Sequence, residues 1–178
     1  PTEAAHVAED LSGKIAMIID GGPVGIGIES TIIDLTEDTP MVLRPGYITP
    51  QMLSKVLGKE VVIDPGIIAA DDTRKPKAPG MKYKHYAPKA DMAIVDGTRK
   101  HVIAKINELV ASHRDDGKKI AVIATEETKQ FYDADVVLSM GSRADEDSIA
   151  HELYRILRDC DELDVDVIFS ESFSTPRI

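Results

Sequence analysis

Apolar residues recur along this chain in two rhythms, a helical one and a strand-like one. Ala4, Ala5, Val7, Ala8 and Leu11 share one face of a short helix that Thr2 begins and Gly13 stops. Ile15–Asp20 is a compact apolar run ending in Gly21-Gly22, which predicts a buried strand leaving into a turn. Glu29–Leu35 and Met41–Leu43 predict two further strands, separated by the polar turn Thr36-Glu37-Asp38-Thr39-Pro40. A helix follows, capped by Thr49, with Pro50 at its first position and Met52, Leu53, Val56 and Leu57 on its apolar face. Gly58 ends it, and Glu60–Ile63 predicts one more short strand.

After residue 90 the two rhythms alternate. Met92–Val95, Ile120–Ala124, Val136–Leu138 and Val165–Phe169 read as strands. Between them, Thr98 caps a helix carrying Val102, Ile103, Ile106, Leu109 and Val110, and Gly117 closes it. A short helix covers Glu126–Phe131, and a longer one covers Asp145–Cys160 with Ile149, Leu153, Ile156 and Leu157. Such alternation predicts a parallel sheet with helices on its faces, so the fold class is α/β. The organisation expected is a strand-rich α/β part over 1–68, a linker over 69–90 and a Rossmann-like parallel-sheet domain over 91–178. About 65 residues with few aromatics make a meagre core. The first part therefore reads as the end of a larger domain, and the last strand reads as lacking a helix after it.

Composition narrows the function. The formal charge is −10, yet residues 71–89 hold six basic and two acidic side chains. A generally acidic surface argues against a nucleic-acid grip, and the basic linker suits a small phosphorylated ligand better. One cysteine, Cys160, excludes an internal disulfide framework and fits a reducing, cytoplasmic setting. No apolar run approaches the ~18 residues of a membrane span. The first residue is proline, so a cut N-terminus is expected.

Three segments could carry chemistry. The linker Pro79-Gly80-Met81-Lys82-Tyr83-Lys84-His85-Tyr86-Ala87-Pro88 sets aromatic faces beside cations, which can stack on a planar ring and meet phosphate. The same stretch also reads as a plain tether. Gly21–Thr31 is glycine-rich but lacks the Lys-Ser/Thr ending of a P-loop, and a strand follows where a dinucleotide fingerprint needs a helix. Within it, Ser30 and Thr31 point to opposite faces, leaving one hydroxyl for a ligand. Arg44, in Leu43-Arg44-Pro45-Gly46, stands at a strand end beside a rigid turn; it is either solvated or a phosphate clamp. His6, His101, His113 and His151 read as surface or core-edge residues, no histidine or cysteine pair has metal-ligand spacing, and no nucleophile triad can be assembled.

In order along the chain, Pro1-Thr2-Glu3-Ala4-Ala5-His6-Val7, Asp20-Gly21-Gly22, Glu29-Ser30-Thr31-Ile32-Ile33-Asp34, Leu43-Arg44-Pro45-Gly46 and Pro79–Pro88 resemble the two-domain threonylcarbamoyl-AMP synthases. These are YrdC-like enzymes with an added Rossmann-like domain. The resemblance implies synthesis of threonylcarbamoyl-AMP from L-threonine, bicarbonate and ATP, with Mg2+ sharing the phosphate charge. The product would pass to a tRNA-modifying complex, and neither direct nucleic-acid binding nor a membrane is implied. It further implies that Thr2, Arg44, Tyr83 and His85 face ATP and that Ser30 contacts L-threonine, with no side chain assigned as catalytic. The family's Lys/Arg-rich ATP-binding stretch would precede Pro1, so the chain alone is expected to be inactive. The alternative is a non-catalytic module that senses a nucleotide through its linker.

Overall fold

The computed structural model describes residues 1–69 and 87–173. They fall into two compact units, residues 1–27 with 87–173 in one and 28–69 in the other.

The smaller unit is built on a three-stranded sheet. β1 (Ile32–Asp34) pairs antiparallel with β2 (Met41–Arg44), and β2 pairs parallel with β3 (Val62–Ile63). Asp34 closes the polar turn between the first two strands by accepting from Thr36 N–H at 2.9 Å and Thr36 Oγ1 at 2.6 Å. The helix here (Pro50–Leu57) starts and stops as the sequence dictates. Thr49 Oγ1 accepts from Met52 N–H at 3.3 Å, Pro50 opens the first turn, and Gly58 takes φ +64°, where a side chain would be strained. Its apolar face, however, stays open: Met52, Val56 and Leu57 are exposed. A short turn of helix (Pro65–Ala69) follows β3, where the sequence pattern predicted no further element.

In the larger unit, four parallel strands lie in the order β4 (Asp91–Val95), β7 (Val167–Glu171), β5 (Ile120–Ala124), β6 (Val136–Ser139). The two central strands, β5 and β7, are buried along their whole length. Each must satisfy apolar neighbours on both faces, which is why they read as unbroken apolar runs. In the order of the helices along the chain, α1 (Ala4–Leu11) and the small unit's two helices, α2 (Pro50–Leu57) and α3 (Pro65–Ala69), precede α4 (Arg99–Asp115) and α5 (Glu146–Glu162). Val102, Ile106 and Val110 of α4 pack with Val122, Phe169 and Tyr132 on one face of the sheet. On the other face, Ile149, Ile156 and Cys160 of α5 pack with Ile123 and Ile168. Asp145 caps α5 by accepting from Asp147 and Ser148 N–H groups. Burial pushes the Cys160 thiol up to about 12.

α1 joins this unit through α5. Arg158 donates to Glu9 Oε2 at 2.9 Å and to Asp10 Oδ2 at 2.7 Å. Gly27 must lack a side chain because a Cβ there would stand 2.0 Å from the His151 carbonyl oxygen.

Three expectations are corrected. Ile15–Asp20 is not a strand: the run is exposed, Ile19 by 89%, and no described segment supplies the ladder its N–H and C=O groups need. Glu126–Phe131 tightens to a single 3-10 turn at Lys129–Phe131. Thr98 stands at the N-cap of α4 without capping it, because its hydroxyl is engaged by His101 Nδ1 at 2.9 Å.

The carboxyl edge of the large sheet is held by two acids. Glu171 at the end of β7 is buried, accepting from Tyr132 Oη at 2.5 Å and from Arg143 at 2.5 Å. Burial first, and then the Glu171 hydrogen bond, raise the Tyr132 phenol well above its ordinary value and keep it a donor. Glu127 accepts from Ser142 Oγ at 2.6 Å and from Arg143 N–H at 3.2 Å, fixing the loop that presents Arg143.

Ile106→Ala removes the fully buried centre of α4 and is expected to cost about 2–5 kcal/mol in urea denaturation. Glu127 is held down to about 2, chiefly by the Ser142 hydroxyl, from an ordinary 4.5. Its lowered value makes its contribution full above about pH 4.5 and lost as the pH falls toward 2. Glu127→Gln is therefore expected to flatten that part of the stability–pH curve.

Candidate functional site

Two of the residues singled out in the sequence meet in the smaller unit. β2 ends at Arg44, and Pro45-Gly46 turns the chain sharply after it. Gly46 is required by close approach and not by its backbone angle. A Cβ there would lie 2.2 Å from the Glu29 carbonyl oxygen and 2.7 Å from Thr31 N. The backbone of Glu29-Ser30-Thr31 is thereby drawn against the turn, and Thr31 Oγ1 donates to the Ile48 carbonyl at 2.7 Å to hold it there.

That approach brings Ser30 to Arg44. The guanidinium donates from Nε to the Ser30 carbonyl at 3.0 Å and from Nη2 to Ser30 Oγ at 2.9 Å. Its third nitrogen, Nη1, stands 3.7 Å from Glu29 Oε1, with both side chains about a fifth exposed. The arginine is thus neither a solvated bystander nor an unspent cation: its charge is balanced by Glu29 and its fork grips Ser30. A hydroxyl has one donor and two acceptor sites. Because Arg44 donates to Oγ, the Ser30 O–H is left to donate outward, and Ser30 is exposed. The arrangement can offer a ligand carboxylate an oriented hydroxyl.

Thr2 lies in the larger unit and is buried. Its N–H donates to His6 Nδ1 at 3.1 Å, its Oγ1 lies 3.4 Å from the same atom, and its carbonyl accepts from Val24 N–H at 3.0 Å. His6, expected at the surface or the edge of the core, is also buried, with 4% exposure. It is needed there to accept the N–H that α1 cannot satisfy before its first turn. Tyr83 and His85 fall outside the described residues. Sequence reasoning missed Glu29 as the counter-charge of Arg44 and Gly46 as the contact that closes the site. The signal for the second was present in Pro45-Gly46 following an arginine at a strand end.

Among the described residues, no group of three or more His, Cys, Asp or Glu is placed to hold a metal ion, and no helix is long and apolar enough to cross a membrane.

A small mixed sheet with an Arg-held serine is thus joined in sequence to an α/β parallel-sheet unit. Residues 48–178 match the family model described as the threonylcarbamoyl-AMP synthase C-terminal domain, and the chain belongs to that family. Residues 1–46 match a second model, described as telomere recombination. A threonylcarbamoyl-AMP synthase of Bacillus subtilis is 45% identical over 97% of this chain and 48% of its own length. The crystal structure of Pyrococcus abyssi Sua5 complexed with L-threonine superposes with a TM-score of 0.83 at 45% identity, covering 98% of this chain and 49% of that one. A second P. abyssi Sua5 structure, with an adjacent histidine and tyrosine both replaced by alanine, superposes with a TM-score of 0.83 at 44% identity over 98% of this chain and 48% of its own. The chain spans about half the length of the curated relatives it matches.

Gly46→Ala is expected to push residues 29–31 off the turn, at a cost of about 1–3 kcal/mol for an overpacked contact. Amide spectra check it: the Ser30 and Thr31 resonances should move, and unmoved resonances would mean the backbone there is free to yield.

Proposed function

We propose that this chain supplies part of the reaction site of a threonylcarbamoyl-AMP synthase, in which L-threonine, bicarbonate and ATP yield threonylcarbamoyl-AMP and pyrophosphate. The observation that carries the reading is the Arg44–Ser30 grip within a chain of this family. Ser30 donates its outward hydroxyl proton to the carboxylate of L-threonine, and Arg44 keeps that hydroxyl oriented while its outer edge faces the nucleotide. Thr2 borders the ATP phosphates. Tyr83 and His85 belong to a linker that lies over the nucleotide. A solved P. abyssi relative carries alanine at an adjacent histidine and tyrosine, and His85-Tyr86 is the one adjacent His–Tyr pair in this sequence.

The chemistry asks the protein mainly to position its substrates. The threonine amine attacks bicarbonate and water leaves to give a carbamate, whose oxygen then attacks the α-phosphorus as pyrophosphate leaves. Juxtaposing the reactants and neutralising phosphate charge lower that barrier, and no side-chain nucleophile is required. Mg2+, as the counter-ion of ATP, would share the charge of the phosphates. The product is handed to a cytoplasmic tRNA-modifying complex, with L-threonine, bicarbonate and ATP as the partners bound directly.

The test is threonine- and bicarbonate-dependent pyrophosphate release, measured on this chain and on the chain extended to the length of its relatives. Activity is expected in the longer protein only. There, Ser30→Ala should raise the KM for L-threonine about tenfold, the value of one hydrogen bond to a charged group. Arg44→Ala should lower kcat/KM for ATP about 10–100-fold and raise the KM for threonine as well. Unchanged constants in both variants would remove the pair from the site.

A further inference from the structure

The large unit holds a second crevice, far along the chain from Ser30 and Arg44. It opens at the carboxyl edge of the parallel sheet, between the loops that follow β4 and β7. Those loops part company: after β4 the chain turns through Asp96-Gly97 into α4, which packs on the sheet face of Val122 and Phe169. After β7, Phe173 packs against the cluster on the opposite face. Where neighbouring parallel strands send their connections to opposite faces, a cleft is left at their carboxyl ends. This one encloses about 360 Å³, bounded by Asp96, Gly97 and Arg99 on one side, Arg143 on another, and Glu171 and Ser172 at the end of β7.

Three features give it a polarity. First, the N-terminus of α4 lacks any internal anion. Thr98 does not cap it, no acid lies in its first turn, and that turn carries Arg99 and Lys100 against the helix dipole. The first intrahelical bond runs from Val102 N–H to the Thr98 carbonyl, leaving the N–H groups before it unspent within the helix. Second, Arg143 donates to Glu171 and to the Ser172 carbonyl at 3.2 Å, yet its Nε is buried with no partner among the described residues. A buried donor left unpaired is a cost that a ligand atom can lift. Third, the acids are unequal. Glu171 is already met by Arg143 and Tyr132, whereas Asp96, which is exposed, accepts from Ser172 Oγ at 2.6 Å. The Ser172 hydrogen bond lowers the Asp96 pKa and keeps it an acceptor.

We propose that this crevice binds a small phosphate monoester that carries a neighbouring hydroxyl, as a sugar phosphate or the ribose end of a nucleotide does. Arg99 and a helix N-terminus supply charge for a dianion, and Arg143, whose charge Glu171 balances, adds its Nε as a donor. Asp96 beside them accepts the hydroxyl. The volume lies at the lower end of metabolite sites and suits one sugar phosphate, not a dinucleotide. Gly97, at φ +142°, leaves the mouth clear of a side chain. The crevice is built from the larger unit alone and does not rest on the reading of Ser30 as a threonine-binding residue.

The probe is ribose 5-phosphate, titrated into the 178-residue chain and followed in amide spectra, with inorganic phosphate and acetate alongside. Saturable shifts are expected at Gly97, Arg99, Lys100 and Ser172, with acetate binding weakest. Arg99→Glu, at an exposed position, should leave the spectrum dispersed and weaken ribose 5-phosphate about tenfold or more, as removal of a charge-assisted hydrogen bond requires. Asp96→Asn should weaken ribose 5-phosphate and leave inorganic phosphate unchanged. No saturable shift at these amides, or equal affinity in the Arg99→Glu chain, overturns the proposal. Equal binding of ribose 5-phosphate and inorganic phosphate removes the hydroxyl from it.

Discussion

A carboxylate buried at the end of a central strand has to be answered, and the answer organises the larger unit. Glu171 follows Val167–Ser170 in a fully buried strand, so its charge cannot escape to water. Tyr132 reaches it from the 3-10 turn after β5, and Arg143 reaches it from the loop after β6. Three segments distant in sequence are tied at one point because leaving any of them out would strand a charge in a medium of low dielectric. Removing one partner of such a pair typically costs about 3–5 kcal/mol, more than the pair gains when intact. The arrangement specifies which loops meet more than it adds stability. It also leaves Arg143 with a nitrogen unspent among the described residues where the loops diverge.

The smaller unit is governed by a different constraint, steric and not electrostatic. Gly46 exists to let one backbone lie against another, and only that approach lets Arg44 span Ser30 and Glu29. An arginine so engaged does two things together. It fixes a hydroxyl, and it carries its own counter-charge, which lowers its pull on a free anion relative to a bare guanidinium. That balance suits a residue whose work is orientation.

Much of the fold could be read from the chain because the deciding forces there are local. Thr49, Pro50 and Gly58 set the limits of one helix through hydrogen bonds and angles within a few residues. Unbroken apolar runs at Ile120–Ala124 and Val167–Phe169 announce strands covered on both faces. What could not be read is set by partners far away. Ile15–Asp20 has the composition of a strand, but a strand needs a neighbour to pair with, and composition does not supply one. The insertion of β7 between β4 and β5 is a choice among parallel neighbours that no local pattern encodes. The site divides in the same way. Ser30 and Arg44 stood out by residue type and turn chemistry, whereas Glu29, His6 and the Arg143 crevice depend on contacts between separate segments. The linker residues Tyr83 and His85 lie outside the described residues.

The lone thiol offers a use of its own. Cys160 is completely enclosed between α5 and the sheet, and its proton is held far above neutral pH. Alkylating reagents attack thiolate, so at neutral pH the native chain is a closed target twice over, by access and by ionisation. Modification then waits on the opening of the α5 face. The speed of labelling becomes a clock for that excursion, reading the same motion at one atom without any added probe.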